Sequence, residues 1–149
     1  MRYCKRALVV ARPWVAASVS TTSALRLSFR LTGALLVLAV GGMHLWLYFD
    51  YFRQVHVVGV LFLLNAAAAT IIGAMLLISS HPLAAVAGLV FAAATLGFFF
   101  VSVYHGLFGY TERLQGGWQE AAAGLELAVI VVLVPLLVLE SRDRKSRYK

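Results

Sequence analysis

Three polar side chains in otherwise apolar parts of the sequence could do chemistry together. His44 and His105 each lie near the end of a long apolar stretch, and Glu126 lies inside another. Counted along helices, the three fall at a similar depth in the outer half of a membrane. Two imidazoles and a carboxylate can bind Zn, Fe or Cu, relay a proton or hydrogen-bond a quinone. The alternative is a structural clamp, in which Glu126 hydrogen-bonds one of the histidines between two helices.

Two further polar residues extend this candidate site. Tyr48 lies one helical turn beyond His44, and Asn65 lies near the middle of the second apolar stretch. The predicted ligand or proton site therefore comprises His44, Tyr48, Asn65, His105 and Glu126, and no catalytic residue is assigned. If a metal binds, its ligands would be His44, His105 and Glu126. No stretch carries an HxxxH or ExxH pair, so no cofactor is predicted, and metal, haem and quinone stay open as alternatives.

The elements that must position these residues are four apolar segments. The chain of 149 residues is 62% hydrophobic and only 13% charged, whereas soluble domains are nearer half apolar and a quarter charged. A hydrocarbon core of about 30 Å needs about 20 apolar residues in a helix. The segments that qualify are roughly Leu31–Phe49, Val55–Ile78, Leu83–Phe108 and Glu120–Leu139. Because short connections favour antiparallel neighbours, the sequence predicts an all-α, up-down antiparallel four-helix transmembrane bundle.

The basic residues predict how this bundle is oriented. Of the 13 lysines and arginines, all except Arg53 and Arg113 lie before the first segment or after the fourth. Cytoplasmic flanks of membrane spans carry an excess of Lys and Arg, so both termini are predicted to be cytoplasmic. The net charge of +7 does not indicate nucleic-acid binding, because the charges gather at the chain ends rather than on one folded face.

The same charges divide the chain into three parts. Residues 1–30 are predicted to form a basic arm, flexible or interfacial, followed by the transmembrane domain (31–140) and a basic cytoplasmic tail (141–149). Arm and tail are expected to contact anionic lipid headgroups. The acid-free arm, which contains Ser and Thr, is also typical of a mitochondrial transit peptide, so its presence in the mature protein stays open. The residues alone leave two locations open, the bacterial plasma membrane and the mitochondrial inner membrane; the resemblance described next implies the first, which is the predicted location, with the second as the alternative.

Two phrases, GMHLWLYFDYFRQVHVVGVLFLLNAAAA and GLFGYTE, resemble those of small four-span membrane proteins of actinobacteria. The features that carry the resemblance are a His-Leu pair at His44, a G-x-L-F-L-L-[NQ] run from Gly59 to Asn65, and an L-F-G-[FY]-x-E run from Leu107 to Glu112. The resemblance covers roughly residues 31–140 and implies a location and a topology, but no reaction. The chain is also weakly similar to the four-span DoxX-like proteins, although it has no cysteine in an apolar segment and so lacks their links to thiol chemistry.

These observations favour a protein without enzymatic activity. The single cysteine, Cys4, cannot form an internal disulfide or the thiol pair of a membrane oxidoreductase. P-loop, nucleophile-elbow and zinc-finger spacings are also absent from the sequence. The expected function is therefore that of an accessory or scaffold subunit of a plasma-membrane complex, with a membrane protein or a second copy of the chain as partner. The alternative is a ligand-, proton- or redox-active membrane protein with an outer-leaflet His/Glu site.

Overall fold

The computed structural model describes residues 13–111 and 117–147, with side chains for 21–111 and 117–143. Within these residues lie the helices α1 (Pro13–Leu47), α2 (His56–Ile78), α3 (Pro82–Tyr104) and α4 (Trp118–Arg147). Each of them is long and apolar enough to cross a membrane. The predicted all-α four-helix bundle is therefore confirmed, and the chain has the fold of a multi-pass integral membrane protein.

Helix α1 begins earlier than the first predicted segment. Residues 13–30, which belong to the predicted basic arm, continue the helix without a break. At 1.5 Å per residue α1 is about 50 Å long, whereas the hydrocarbon core of a bilayer is about 30 Å thick. The first turns of α1 therefore extend beyond the apolar layer. The rest of the predicted arm (1–12) and the end of the predicted tail (148–149) lie outside the described residues.

The helices form a ring in which each one packs against two neighbours. Helix α1 contacts α2 and α4, and α3 contacts the same two. Successive helices are antiparallel: Arg30, at the middle of α1 and 17 residues before its end, reaches the end of α2, and Asn65 of α2 pairs with Thr95 of α3. We call the end that carries the α1–α2 and α3–α4 connections the distal end. The opposite end, which carries the α2–α3 connection, is called the terminal end.

Small residues let the helices approach closely. A Cβ atom added at Gly41 of α1 would lie 2.6 Å from the Cβ of Ala69 in α2, and Gly88 of α3 faces Leu133 of α4 in the same way. Lipid tails provide no hydrophobic drive for helix association, so this close van der Waals contact is a main source of stability. The fully buried core consists of Ala34, Val37, Val40, Ala69, Leu76, Ala84, Ala85, Ala92, Val129, Leu133 and Leu136.

At the terminal end, Arg30 joins three helices. Its guanidinium donates hydrogen bonds to the carbonyl oxygens of Leu76 (3.0 Å) and Ser79, at the end of α2. Helix carbonyls there have no partner within their own helix. The Nε atom of Arg30 also lies 3.9 Å from Oε1 of Glu140 on α4. Glu140 is buried, with only 7% of its surface exposed. A residue of the predicted basic arm thus holds the bundle closed at this end.

At the distal end, α1 continues into a single π-helical turn, Tyr48–Phe52. Gly59 in the first turn of α2 packs against it, because a Cβ atom there would lie 2.5 Å from the carbonyl oxygen of Phe52. The Phe52 side chain is 6% exposed and stacks on Phe62 of α2, with ring centroids 4.4 Å apart. Turns of this kind often accompany functional sites, and here the turn forms one wall of a cavity.

Candidate ligand-binding site

A cavity of about 680 Å³ lies in the distal half of the bundle. Residues of all four helices and of the α3–α4 connection line it, and most of them are apolar. Ligand pockets typically measure about 300–1,000 Å³ and combine apolar walls with a few placed polar groups. The polar side chains that line this cavity are His44, Tyr51, Asn65, Thr95, Ser102, Tyr110, Gln119 and Glu126.

His44 of α1 and Glu126 of α4 face each other in this cavity. Both are buried, with 8% and 2% of their surface exposed, and 3.9 Å separates Nε2 of the histidine from Oε1 of the glutamate. This distance is too long for a direct hydrogen bond. The structure therefore brings two of the predicted site residues together from separate helices, and it leaves a gap between their polar atoms.

The hydrogen bond made by Nδ1 of His44 determines whether Nε2 of the same ring donates or accepts. Nδ1 lies 2.9 Å from the carbonyl oxygen of Val40, and a carbonyl only accepts, so Nδ1 carries the proton. In the neutral ring, Nε2 is then an acceptor that faces the carboxyl group of Glu126. The Phe62 ring, centred 5.1 Å from the imidazole, helps to hold this orientation.

Asn65 contributes a further acceptor to the cavity. Its Nδ2 donates to Oγ1 of Thr95 on α3 at 2.9 Å, and that hydroxyl donates to the carbonyl oxygen of Phe91, also at 2.9 Å. Because the hydroxyl proton of Thr95 is already used, Oγ1 can only accept from Asn65, which fixes the orientation of the amide. Oδ1 of Asn65 and Oε2 of Glu126 are both buried, and neither accepts a hydrogen bond from any residue that the structure describes.

The other two predicted site residues lie elsewhere. His105 follows the last residue of α3, where the backbone has left the helical conformation (φ −122°, ψ −13°), and it is exposed and does not line the cavity. Ser102, one turn earlier, takes the cavity-facing position. Tyr48 packs beside Gly59 and Phe49 rather than against the cavity.

The predicted three-residue metal set is therefore not assembled in the described part of the chain. Its members His44 and Glu126 are close together, but His105 lies after the end of α3, where the backbone is no longer helical. Among the side chains that the structure describes, those of residues 21–111 and 117–143, no group of three or more His, Cys, Asp or Glu is placed to hold a metal ion. What His44, Glu126 and Asn65 offer together is a set of hydrogen-bond acceptors.

Thr95 and Phe62 are the site residues that sequence reasoning missed. Thr95 is as far after the α2–α3 turn as Asn65 is before it, and this symmetry could have revealed the pair, since antiparallel neighbours match residues equidistant from their turn. Phe62 had no comparable signal. It is one of many apolar residues on α2, and only the rotation of the helix places it against His44.

A tight turn covers part of the distal mouth of the cavity. Leu107 and Tyr110 exchange backbone hydrogen bonds of 2.6 and 2.9 Å. The flanking Gly106 and the intervening Gly109 have φ values of +75° and +82°, which glycine adopts without strain. The Tyr110 ring packs edge-on against Phe52, with centroids 5.3 Å apart. Tyr51 and Trp118 line the rest of the mouth and are more than half exposed.

Fold and site together define a four-helix integral membrane protein with a ligand-sized cavity near one membrane face. No protein-family profile, no curated protein and no solved structure matches the chain.

Proposed function

We propose that this protein binds a small, mainly apolar molecule that carries hydrogen-bond donors, with the donors placed among His44, Asn65 and Glu126. The observation that carries the proposal is the pair of buried, unpartnered acceptor atoms, Oε2 of Glu126 and Oδ1 of Asn65, beside a cavity of about 680 Å³. Leaving a buried polar group without a hydrogen bond costs about 1–3 kcal/mol. A bound donor removes that cost and gives the cavity its specificity.

The alternative of a purely structural clamp fits these distances less well. A clamp stabilises a bundle through a direct hydrogen bond between its two side chains. His44 and Glu126 are instead 3.9 Å apart, which is too long for such a bond. A ligand with two donor hydrogens, such as an amine or a diol, can donate to both atoms. Ligand binding is therefore a better account of this arrangement than support alone.

The proposal follows the second of the two functions expected from the sequence. The accessory or scaffold role stays a prediction, as do a membrane-protein partner and a second copy of the chain. The resemblance to actinobacterial four-span proteins supports a bacterial plasma membrane as the location. No redox or metal chemistry is needed for binding, and none is part of the proposal.

Two tryptophan substitutions on neighbouring residues of α4 test the proposal. Ala122 lines the cavity, whereas Ala121 is exposed and does not. We expect native mass spectrometry of full-length protein, purified from its own membrane in a mild detergent, to detect a bound small molecule. Ala122→Trp should abolish this bound mass by filling the cavity, and Ala121→Trp should retain it. Equal retention by both variants, or no bound molecule in the unsubstituted protein, would contradict the proposal.

A further inference from the structure

The cavity has a side wall that no further helix of the described residues covers. Helices α2 and α3 contact each other less than any other neighbouring pair in the ring. Leu64 of α2 and Phe98 of α3 both line the cavity at this wall, yet they are 60% and 57% exposed. Both lie well within helices that are apolar enough to span a membrane. Side chains that line a cavity and are also exposed mark where its wall is thin. This part of the wall, which we call the gap, therefore faces lipid, not water.

The polar groups beside this gap are mainly acceptors that still need donors. Asn65 adjoins Leu64 in the chain, and its Oδ1 is unpartnered among the described residues, like Oε2 of Glu126 across the cavity. Nε2 of the neutral His44 adds a third acceptor. A carboxylate or phosphate headgroup would meet these acceptors with more acceptors and would bring its own charge into a buried site, which is unfavourable. A hydroxyl or amine headgroup would supply the donors.

We infer that the ligand is a single-chain lipid whose headgroup donates hydrogen bonds to Glu126, Asn65 and His44, while its hydrocarbon chain leaves the cavity between Leu64 and Phe98. This inference rests on the proposed function and adds the ligand class and the path of entry. The gap explains how such a lipid reaches a buried polar site without first entering water. The apolar cavity wall, with Phe91 and Phe99 beside Phe98, matches the part of the chain next to the headgroup.

Lipids that share one chain and differ in headgroup test the ligand class. We would place the full-length protein in phosphatidylcholine nanodiscs, because that headgroup has no hydrogen-bond donor, and add monoolein, oleylamine, oleate or free glycerol. A ligand that binds only the folded state raises the unfolding temperature. Monoolein or oleylamine should raise it in a saturable way, whereas oleate and glycerol should not. An equal effect of oleate, or no effect of either donor lipid, would overturn the inference.

Matched substitutions test the placement of head and chain. Leu64→Trp should close the gap and weaken monoolein or oleylamine binding by about tenfold or more, whereas Leu63→Trp, on the next residue and away from the cavity, should not. Glu126→Gln should weaken oleylamine binding by about tenfold or more, because glutamine accepts a hydrogen bond from the ammonium group but has no charge to pair with it. Glu140→Gln, at the other end of α4, should leave that affinity unchanged.

The outcomes separate this inference from the proposed function. If Ala122→Trp removes the bound molecule from the native membrane while Leu64→Trp leaves lipid binding intact, the cavity binds a ligand but the lateral path is wrong. If Ala122→Trp changes nothing, the proposed function itself fails. Unfolding of each variant without lipid shows whether it folds, and the near-isosteric Glu126→Gln keeps the headgroup test valid should a tryptophan variant fail to fold.

Discussion

Thr95 decides which way the amide of Asn65 points, and this single contact prepares the site. Its hydroxyl donates to Phe91 of its own helix and accepts from Nδ2 of Asn65. Oδ1 of Asn65 is thereby left without a donor. At the residue scale, an interhelical hydrogen bond thus serves two purposes. It joins α2 to α3, the neighbouring helices that contact each other least, and it keeps an acceptor available to a ligand.

Thr95→Val should remove this interhelical hydrogen bond, since valine has the shape of threonine but no hydroxyl. We expect a double-mutant cycle with Asn65→Leu to give a coupling of about 0.6 kcal/mol, and at most about 1.7 kcal/mol, as for other hydrogen bonds between membrane helices. The measurement is the free energy of unfolding in mixed micelles. Thr70→Val is the control, because Thr70 is exposed and donates only to Ala66 of its own helix. A coupling no larger than that of Thr70→Val with Asn65→Leu would show that the contact carries no energy.

At the scale of elements, the close approach of α1 and α2 depends on a glycine one turn before His44. Gly41 faces Ala69 so closely that a side chain would collide with it, whereas Gly42 has open space around its Cβ position. Two adjacent glycines in one helix therefore have opposite roles. The first sets the spacing that lets His44 reach into the cavity, and the second only lowers helix propensity.

Gly41→Ala and Gly42→Ala form a matched pair for this contact. The first should destabilise the bundle by about 1–3 kcal/mol, because α1 and α2 must move apart. The second should be neutral or stabilise it by up to about 1 kcal/mol, the ordinary gain from replacing glycine in a helix. Thermal unfolding in one detergent compares the two directly. Similar effects of both substitutions would mean that the helices can separate at Gly41 without cost.

Across the whole molecule, hydropathy predicts the membrane spans well but not where the helices end. The predicted second segment, Val55–Ile78, differs from α2 by one residue. The third, Leu83–Phe108, runs past the end of α3, because Gly106 and Phe108 are in a turn with positive φ values that an apolar pattern does not reveal. Helices α1 and α4 continue beyond their apolar parts, since a helix does not end where hydrophobicity does.

In the candidate site, too, the sequence predicts how deep a residue lies in the membrane but not how the helix is rotated about its axis. His44 and Glu126 could be placed together from the sequence, because hydropathy gives the depth of each residue and both lie at one level. Rotation about the helix axis is set by side-chain packing, which hydropathy does not report, and it brings Asn65 to Thr95 and Phe62 to His44. The position of His105 depends on the backbone at the end of α3, which composition does not encode.

The orientation of the bundle decides from which side of the membrane the mouth at Tyr51 and Trp118 is reached. Basic residues flank the terminal end, while the distal connections carry only Arg53 and Arg113, so the distal end should face outward.

In a Cys4→Ser background, we expect Gln54→Cys to react with an impermeant maleimide on intact cells. Ser80→Cys, in the α2–α3 connection, should react only after the membrane is permeabilised. Both positions are exposed and neither substitution changes the charge. The reverse labelling pattern would place the cavity mouth in the cytoplasm, and labelling of both variants on intact cells would mean that the protein inserts in two orientations.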